Sequence, residues 1–486
     1  MLLKRIAAIV LLGAIAFALP LLRHLLIRDV VTWDATPSEP ALLPGGEGPG
    51  LAPAPRVRVV LIDGLAAPIA HAMPAWSALC ARGIRLTVDV GFPTVSLPVE
   101  VALWSGLTQQ QTGIVGRSDR PLVPPLDATR GIPAQVPGSR AIAEDHAWIV
   151  RSLGFARVDP PVDDAAGFDF AKTATAAVRS DARLVFVHVL RVDTAGHKFG
   201  GASPEYKAVA LDADKLLDAL LAADPGARWF VLSDHAHLPE GGHGGEEPSV
   251  RQVEGCIAGA GIARAQGALV HVVDVARALA DSTGAKLDKA SRGRPMSVAL
   301  AAPLGDDQAL PAEPLGAGAL AIFCLVVGLV ASSWAVRQWW LVPWWFPIAC
   351  ASLVALRGEP TLSMHMVYGP TGRAMYLAWL PALGVCTLIS YLGLGKTTLG
   401  RVLVAQLALP LAAVAAALTA CGAWPAVFGA ELAPVVPRFT AWCSPLILIA
   451  AHGAAAVALA VLGRLVLPAF GRRAPAAPTR TPKPAA

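Results

Sequence analysis

The chain has 486 residues, of which 55% are hydrophobic and only 15% are charged. This composition is too apolar for an ordinary soluble enzyme, so part of the chain is expected to lie in a membrane. The net charge is a modest +5, and the basic residues are scattered or lie beside apolar segments. Basic flanks of membrane helices explain this charge, and no nucleic-acid partner is expected.

An apolar stretch from Ile6 to about Leu22 follows two basic residues at the N-terminus. It fits either a signal peptide or a first membrane helix. The Ala-Phe-Ala sequence at 16–18 resembles a cleavage site, whereas Pro20 and the apolar residues after it favour a retained anchor. We predict a membrane anchor at 1–28 and a linker rich in Pro, Gly and Ala at 29–56.

Residues 57–300 mix strand-like and helix-like patterns at normal charge, which predicts one α/β domain. After a second linker at 301–316, the composition becomes strongly apolar. Five segments there are each near the roughly 20 residues that span a bilayer, which predicts a five-helix transmembrane region at 317–470. The segments are at about 317–336, 339–356, 374–394, 399–421 and 439–467.

The basic residues indicate how these spans are oriented. A cytoplasmic N-terminus exports the large domain and leaves Arg337, Lys396 and a disordered basic tail at 471–486 in the cytoplasm, as the positive-inside rule requires. We therefore predict a multi-pass protein of the cell (inner) membrane. Its α/β domain would face the periplasm or another extracytoplasmic space.

Five of the seven cysteines lie in or beside the long apolar segments, and only Cys80 and Cys256 belong to the α/β domain. Two distant cysteines supply neither a disulfide framework nor a thiolate zinc motif. One disulfide between them is possible, but we do not expect it.

Three apolar runs of the α/β domain each end in an aspartate: Asp63, Asp193 and Asp234. In open α/β sheets, ligands bind outside the carboxyl ends of the parallel strands, where these carboxylates would lie. A single such aspartate is more simply a turn former or a helix cap. Three of them, two with histidines close by, favour a functional site.

Histidines complete this set of donors. Asp193 precedes His197, Asp234 precedes His235, and His243 follows in a glycine-rich loop. Six oxygen and nitrogen donors predict a site for two metal ions. Asp193 and His197 can reach one ion if the turn between them is tight, which Gly196 makes easier. Asp234 and His235 are adjacent, so they can converge on one ion only from an irregular loop.

Two hydroxyl groups, Thr94 and Ser96, precede a helical run that starts near Pro98. Proline suits the first turn of a helix. A hydroxyl there lies near unpaired backbone N–H groups, so it can cradle an anion and can be deprotonated by a metal. On local chemistry alone, a plain N-cap is an equally good interpretation of Ser96.

Taken in order, these residues resemble the two-metal site of the alkaline phosphatase superfamily, and its type I phosphodiesterase/nucleotide pyrophosphatase branch looks closest. Residues 184–197, 205–207 and 233–244 are similar to the catalytic domain of the glycosylphosphatidylinositol (GPI) ethanolamine phosphate transferases. The resemblance covers about residues 57–297 and does not extend to the membrane part. It implies a mostly parallel central sheet sandwiched by helices.

The resemblance also implies roles for the donors. One ion would bind Asp193, His197 and His243, and the other would bind Asp63, Asp234 and His235. Such a ligand mixture accepts Zn, or alternatively Mn. Ser96 would be the nucleophile, with Thr94 as the alternative. The implied reaction is attack on a phosphodiester, completed by water or by an alcohol. A site held near the bilayer suggests a phospholipid head group such as phosphoethanolamine.

The chain departs from the family pattern at two places. Val99 and Glu100 replace the usual Asn-His or Gly-His pair after Pro98, and Ala236 and His237 replace the usual Gly-Met. Glu100 could contact a cationic head group, with a solvated helix residue as the alternative. His237 could be a spare ligand, with a surface histidine as the alternative.

Two other functions compete with a phosphodiesterase. Sulfatases share the fold, but they need an arginine after the x-Pro-x that follows the nucleophile, and Glu100 occupies that position. A sulfatase is therefore disfavoured. The other alternative is a degenerate, non-catalytic membrane protein that uses the domain for binding or assembly, and Val99 with Glu100 keeps it open. Partner proteins cannot be identified from the sequence.

Overall fold

The computed structural model describes residues 2–31, 47–114, 116, 121–163, 167–245, 247–265, 267–304, 363, 380–393 and 436–471. Most of the predicted five-helix region and the basic tail after residue 471 lie outside this set, and so does much of the predicted 29–56 linker. The α/β domain lies almost wholly inside it.

The centre of the α/β domain is one eight-stranded sheet. Its order is β4-β3-β5-β1-β6-β7-β2-β8, and β7 is antiparallel to both of its neighbours while the other described pairings are parallel. The predicted mostly parallel sheet is thus confirmed. The strands are β1 (Val57–Ile62), β2 (Ile84–Asp89), β3 (Arg140–Ala143), β4 (Arg157–Asp159), β5 (Leu184–Val189), β6 (Arg228–Leu232), β7 (Gln252–Gly259) and β8 (Leu269–His271).

Hydrophobic cores form on both faces of the sheet. Along β1, Val57, Val59 and Leu61 belong to one core and Val60 and Ile62 to the other. A strand buried on both faces has an unbroken apolar sequence, which explains the runs that end in aspartate. The helices of this domain are α2 (Ala67–Ala72), α3 (Pro74–Cys80), α4 (Ser96–Ser105), α5 (Gln109–Thr112), α6 (Ala147–Arg151), α7 (Phe170–Val178), α8 (Arg191–Phe199), α9 (Pro204–Ala223), α10 (Pro248–Arg251), α11 (Val272–Thr283) and α12 (Met296–Ala301).

Three further helices are described outside the α/β domain: α1 (Leu2–Val31), α13 (Leu380–Gly393) and α14 (Val436–Gly471). Within the described residues, α1 contains the one stretch that meets the length and hydropathy expected of a membrane span, at Arg5–Leu22. Leu12 of α1 packs against Ala454 and Val457 of α14. The five C-terminal spans therefore stay a prediction.

A disulfide joins Cys80, at the end of α3, to Cys256 in β7, with the two Cα atoms 5.2 Å apart. The expectation of two separate thiols is therefore wrong. Helix α3 packs on β7, which brings together cysteines that are 176 residues apart in the chain. Such a pairing depends on sheet topology, and sequence spacing gave no sign of it.

Candidate two-metal site

Three central strands bring the predicted ligands together. Strand β1 lies between β5 and β6, with Leu61 opposite His188 and Leu232. Asp63 directly follows β1, and Asp234 lies two residues after β6. Their carboxylates therefore meet at the carboxyl edge of the sheet, as predicted from the strand ends.

The first group of donors, which we call the buried cluster, consists of Asp63, Asp234 and His235, whose side chains are all 0% exposed. His235 Nε2 lies 3.3 Å from Asp63 Oδ1 and 3.4 Å from Asp234 Oδ2. The Ser96 hydroxyl lies 3.3 Å from His235 Nε2 and 3.5 Å from Asp63 Oδ1. The structure thus gathers these three side chains together, with the Ser96 hydroxyl beside two of them.

These distances fit a metal ion. Donors bound at about 2.0–2.2 Å to a tetrahedral zinc ion lie about 3.3–3.6 Å from one another. Asp234 Oδ1 accepts the N–H of Gly64 at 3.1 Å, but its buried Oδ2 has no hydrogen-bond partner among the described residues. A buried acceptor normally has a partner, and a cation would supply one here. The residues present therefore fit a divalent ion.

The second group, which we call the cavity cluster, consists of Asp193, His197 and His243. Asp193 Oδ1 lies 3.5 Å from His197 Nε2 and 3.7 Å from His243 Nε2, and the two histidine nitrogens are 3.1 Å apart. His243 is held by its other ring nitrogen, which lies 2.8 Å from the carbonyl oxygen of Thr94. This contact leaves Nε2 of His243 directed at the cluster.

Asp193 and His197 do not meet through a tight turn. Both belong to α8, where residues four apart lie on one face of the helix. Gly196 serves a different purpose, since a Cβ atom there would lie 2.2 Å from the ring of His237. The predicted turn is therefore wrong, and the glycine makes room for a histidine.

His237 is not a surface residue, because it is only 4% exposed. Its Nε2 lies 2.9 Å from Asp193 Oδ1, and its Nδ1 accepts the N–H of Gly242 at 3.1 Å. These are ordinary hydrogen-bond lengths. Because Nδ1 is the acceptor, Nε2 carries the proton and donates it to Asp193. His237 thus orients a carboxylate of the cavity cluster.

The two candidate nucleophiles have different surroundings. Thr94 is 0% exposed; its hydroxyl donates to the carbonyl of Gly245 and accepts the N–H of Gly244, both at 2.8 Å. Ser96 is the first residue of α4, and its hydroxyl makes no capping bond because Val95 occupies the N-cap position. The N-cap interpretation of Ser96 is therefore wrong. Its hydroxyl faces the buried cluster.

Glu100 is fully buried, so the solvated alternative is wrong. Glu100 is not one of the described residues that line the cavity beside Ser96. Its Oε1 instead lies 3.2 Å from Nε2 of His188, which also lies 3.2 Å from Asp63 Oδ2. The structure therefore places Glu100 behind Asp63, away from the position proposed for a cationic head group.

Burial and neighbouring charges shift the pKa of three side chains in the site. Burial and the neighbouring Asp234 raise the pKa of Asp63 well above its usual value. Burial alone would raise the pKa of Asp193, but His197 and His237 hold it well below its usual range. Burial and the His235 ring lower the pKa of His243 well below its usual value. A neutral histidine beside an ionised carboxylate is the form that binds metal.

The cavity cluster opens into a cavity of about 370 Å³ that is also lined by Ser96, His146 and Trp148. His146 is unusual because its φ of 48° is in the left-handed region, which residues other than glycine adopt at a cost.

A larger cavity of about 750 Å³ shares Leu190, Thr194 and Lys198 with the first. The site therefore has room for a substrate considerably larger than a phosphate group.

The sequence-based prediction gave no role to His188 and an uncertain one to His237. A histidine inside a strand that is buried on both faces must have a polar partner, and this signal could have identified His188. Similarly, Glu100 interrupts a helical run that is apolar on all sides, which is typical of a buried helix. Neither signal identifies the partner, which depends on the fold.

Residues 131–243 match the family model of type I phosphodiesterase/nucleotide pyrophosphatase. This region contains Asp193, His197, Asp234, His235 and His243. The predicted resemblance to the type I phosphodiesterase/nucleotide pyrophosphatase family is therefore confirmed over these residues. A comparison with curated proteins found no match.

Several solved structures are similar to the chain at low identity. Murine ectonucleotide pyrophosphatase/phosphodiesterase 5 is 13% identical, with 48% of this chain and 95% of that chain covered and a TM-score of 0.39. A 2-O GAG sulfatase is 14% identical, with coverages of 53% and 76% and a TM-score of 0.40. An alkaline phosphatase superfamily protein from Vibrio parahaemolyticus is 15% identical, with coverages of 58% and 79% and a TM-score of 0.39.

Proposed function

We propose that the chain is a membrane-anchored, metal-dependent phosphodiesterase or phosphotransferase with Ser96 as its nucleophile. The observation that carries this proposal is the position of the Ser96 hydroxyl, 3.3–3.5 Å from two side chains of the buried cluster. The matched family supports the reaction class. Two divalent ions, Zn or alternatively Mn, fit the two clusters of donors.

The proposed chemistry requires a phosphodiester beside Ser96. Ser96 Oγ loses its proton and forms a bond to phosphorus, the bond from phosphorus to the leaving oxygen breaks, and that oxygen takes up a proton. Water or an acceptor alcohol then attacks the phosphorus and releases Ser96. Bound divalent ions would lower the pKa of the hydroxyl and neutralise the charge on the phosphoryl oxygens. The position of Ser96 at the N-terminus of α4 adds backbone N–H groups to the anion site.

A lipid head group such as phosphoethanolamine is the substrate that we favour. The N-terminal apolar helix would keep the domain close to a bilayer, and the two adjoining cavities leave room for a large diester. The disulfide between Cys80 and Cys256 supports an extracytoplasmic location, because disulfides persist in oxidising compartments.

The test uses the purified full chain in detergent with an aryl phosphodiester and added Zn or Mn. We expect turnover that Ser96→Ala lowers by at least about 10³-fold, roughly 4 kcal/mol of barrier. Ser105→Ala, the same change on the same helix, is the control because the Ser105 hydroxyl donates to the Val101 carbonyl and accepts the N–H of Leu107, away from both clusters. Activity that survives both Ser96→Ala and Asp234→Ala would contradict the proposal.

The substrate is tested separately with phosphatidylethanolamine in mixed micelles. We expect mass spectrometry to find a phospho-adduct on the peptide that carries Ser96, and an added alcohol to divert the product from hydrolysis to transfer. A parent protein that binds two ions but turns over no diester would favour the non-catalytic alternative.

A further inference from the structure

The unexplained feature near the site is the carboxylate of Glu100. This residue lies one helical turn after Ser96 on α4 and is 0% exposed. Neither of its carboxylate oxygens has a hydrogen-bond partner among the described residues. A buried carboxylate without such partners is destabilising unless an opposite charge lies close to it. A neighbouring group must therefore compensate for the burial of this carboxylate.

His188 is the polar neighbour of Glu100. It projects from β5, is 0% exposed, and places Nε2 3.2 Å from both Glu100 Oε1 and Asp63 Oδ2. Only the contact with Asp63 has the geometry of a hydrogen bond. His188 thus lies between two carboxylates and donates to the one that belongs to the buried cluster.

This contact distinguishes the two oxygens of Asp63. His188 occupies Oδ2, whereas Oδ1 faces His235 at 3.3 Å and Ser96 at 3.5 Å. The carboxylate is therefore turned so that one fixed oxygen is presented to an ion. Groups that hold a metal ligand from behind set both its orientation and its basicity, and their loss typically lowers metal affinity about 10–100-fold.

We propose that Glu100 and His188 are a positioning pair that holds Asp63 for the ion of the buried cluster. Glu100 acts through His188: its Oε1 lies 3.2 Å from the same Nε2 that contacts Asp63, so it keeps the ring turned toward that carboxylate. The inference rests on the proposed two-ion function but concerns ion binding, which can be measured without any substrate. It also gives Glu100 a role that does not involve a head group.

The experiment measures ion affinity in the full chain by competition with a zinc chelator, together with the number of ions bound. We expect two ions in the parent protein. Glu100→Gln and His188→Asn should each weaken one ion about 10–100-fold and leave the other unchanged. Glu254→Gln is the matched control, because Glu254 is another buried glutamate but contacts Arg85 and Trp76 instead of His188.

Two further variants separate positioning from stability. Glu100→Met removes the charge at similar volume, and replacing a buried charge with an apolar side chain is often neutral or stabilising. We expect it to unfold at no lower temperature than the parent protein and still to weaken the ion. If Glu100 acts only through His188, the double variant Glu100→Gln/His188→Asn should be no weaker than His188→Asn alone.

Unchanged ion affinity in the folded Glu100→Met and Glu100→Gln variants would overturn the inference. So would a third bound ion that disappears in Glu100→Gln while the other two keep their affinity, because Glu100 would then be a ligand itself. The two proposals can fail separately. A chain that binds ions as expected but cleaves no diester refutes the proposed function alone, and an active chain with unchanged ion affinity in these variants refutes the positioning pair alone.

Discussion

The two metal-ligand clusters differ in how they are built. The buried cluster joins loops at the ends of β1 and β6, its side chains are 0% exposed, and Gly64 N–H and His188 fix its carboxylates from behind. The cavity cluster joins α8 to the loop of His243 and lines an open cavity, where the Asp193 side chain is 14% exposed. The cluster that faces Ser96 is thus the more deeply buried one, and the other cluster is open to solvent and substrate.

The largest effect should come from the buried cluster. Asp234→Asn keeps the oxygen that accepts Gly64 N–H and replaces the unpartnered Oδ2 with an amide nitrogen. We expect the loss of one ion and a fall in diesterase activity of at least about 10³-fold. Ion counting and kinetics on the same samples measure this. Activity within tenfold of the parent protein would show that this cluster is not needed.

A smaller effect is expected from the cavity cluster. His243→Ala removes one ligand from a cluster that solvent can reach, so we expect weaker binding of one ion and an activity loss of about 10²-fold that excess metal partly restores. The measurement is activity against metal concentration. Asp234→Asn is the comparison variant, since excess metal should not restore its activity. If excess metal restored the activity of both variants equally, the two clusters would not differ in how readily they exchange their ions.

Gly196→Ala tests the support of the cavity cluster without touching a ligand. The added Cβ would lie 2.2 Å from the His237 ring, which must move away from Asp193. We expect the ion of this cluster to be bound about tenfold more weakly, although alanine favours a helix by about 1 kcal/mol over glycine. Chelator competition measures the affinity. A variant that is more stable and keeps its ion affinity would show that His237 moves freely.

The smallest effect on chemistry is expected for Thr94→Val, which removes the hydroxyl bonds to Gly244 and Gly245. Leaving those groups unsatisfied should lower the free energy of unfolding by about 1–3 kcal/mol. Because the hydroxyl of Thr94 does not face the buried cluster, kcat should fall by less than about tenfold. Thermal unfolding and kinetics test this together. Loss of the covalent adduct in this variant would make Thr94 the nucleophile.

Much of this arrangement could be predicted from sequence, because it depends on strand ends. Asp63 and Asp234 follow apolar runs, so parallel pairing alone brings their carboxylates to one edge. The role of Glu100 could not be predicted, since α4 is buried on nearly every side and its periodicity does not indicate which residue faces inward. The role of His237 depends on the contact between its loop and Asp193 of α8, which only the fold creates. The pairing of Cys80 with Cys256 likewise required β7 to lie antiparallel between β6 and β2.

The same disulfide has a topological consequence. It closes a covalent ring from Cys80 to Cys256 that contains Ser96 and every predicted metal ligand except Asp63. A protease that cuts once within this ring leaves a single molecule, and the two pieces separate only after reduction. Gel mobility with and without a reductant would therefore report whether a nick lies inside the ring, before any loss of metal is measured.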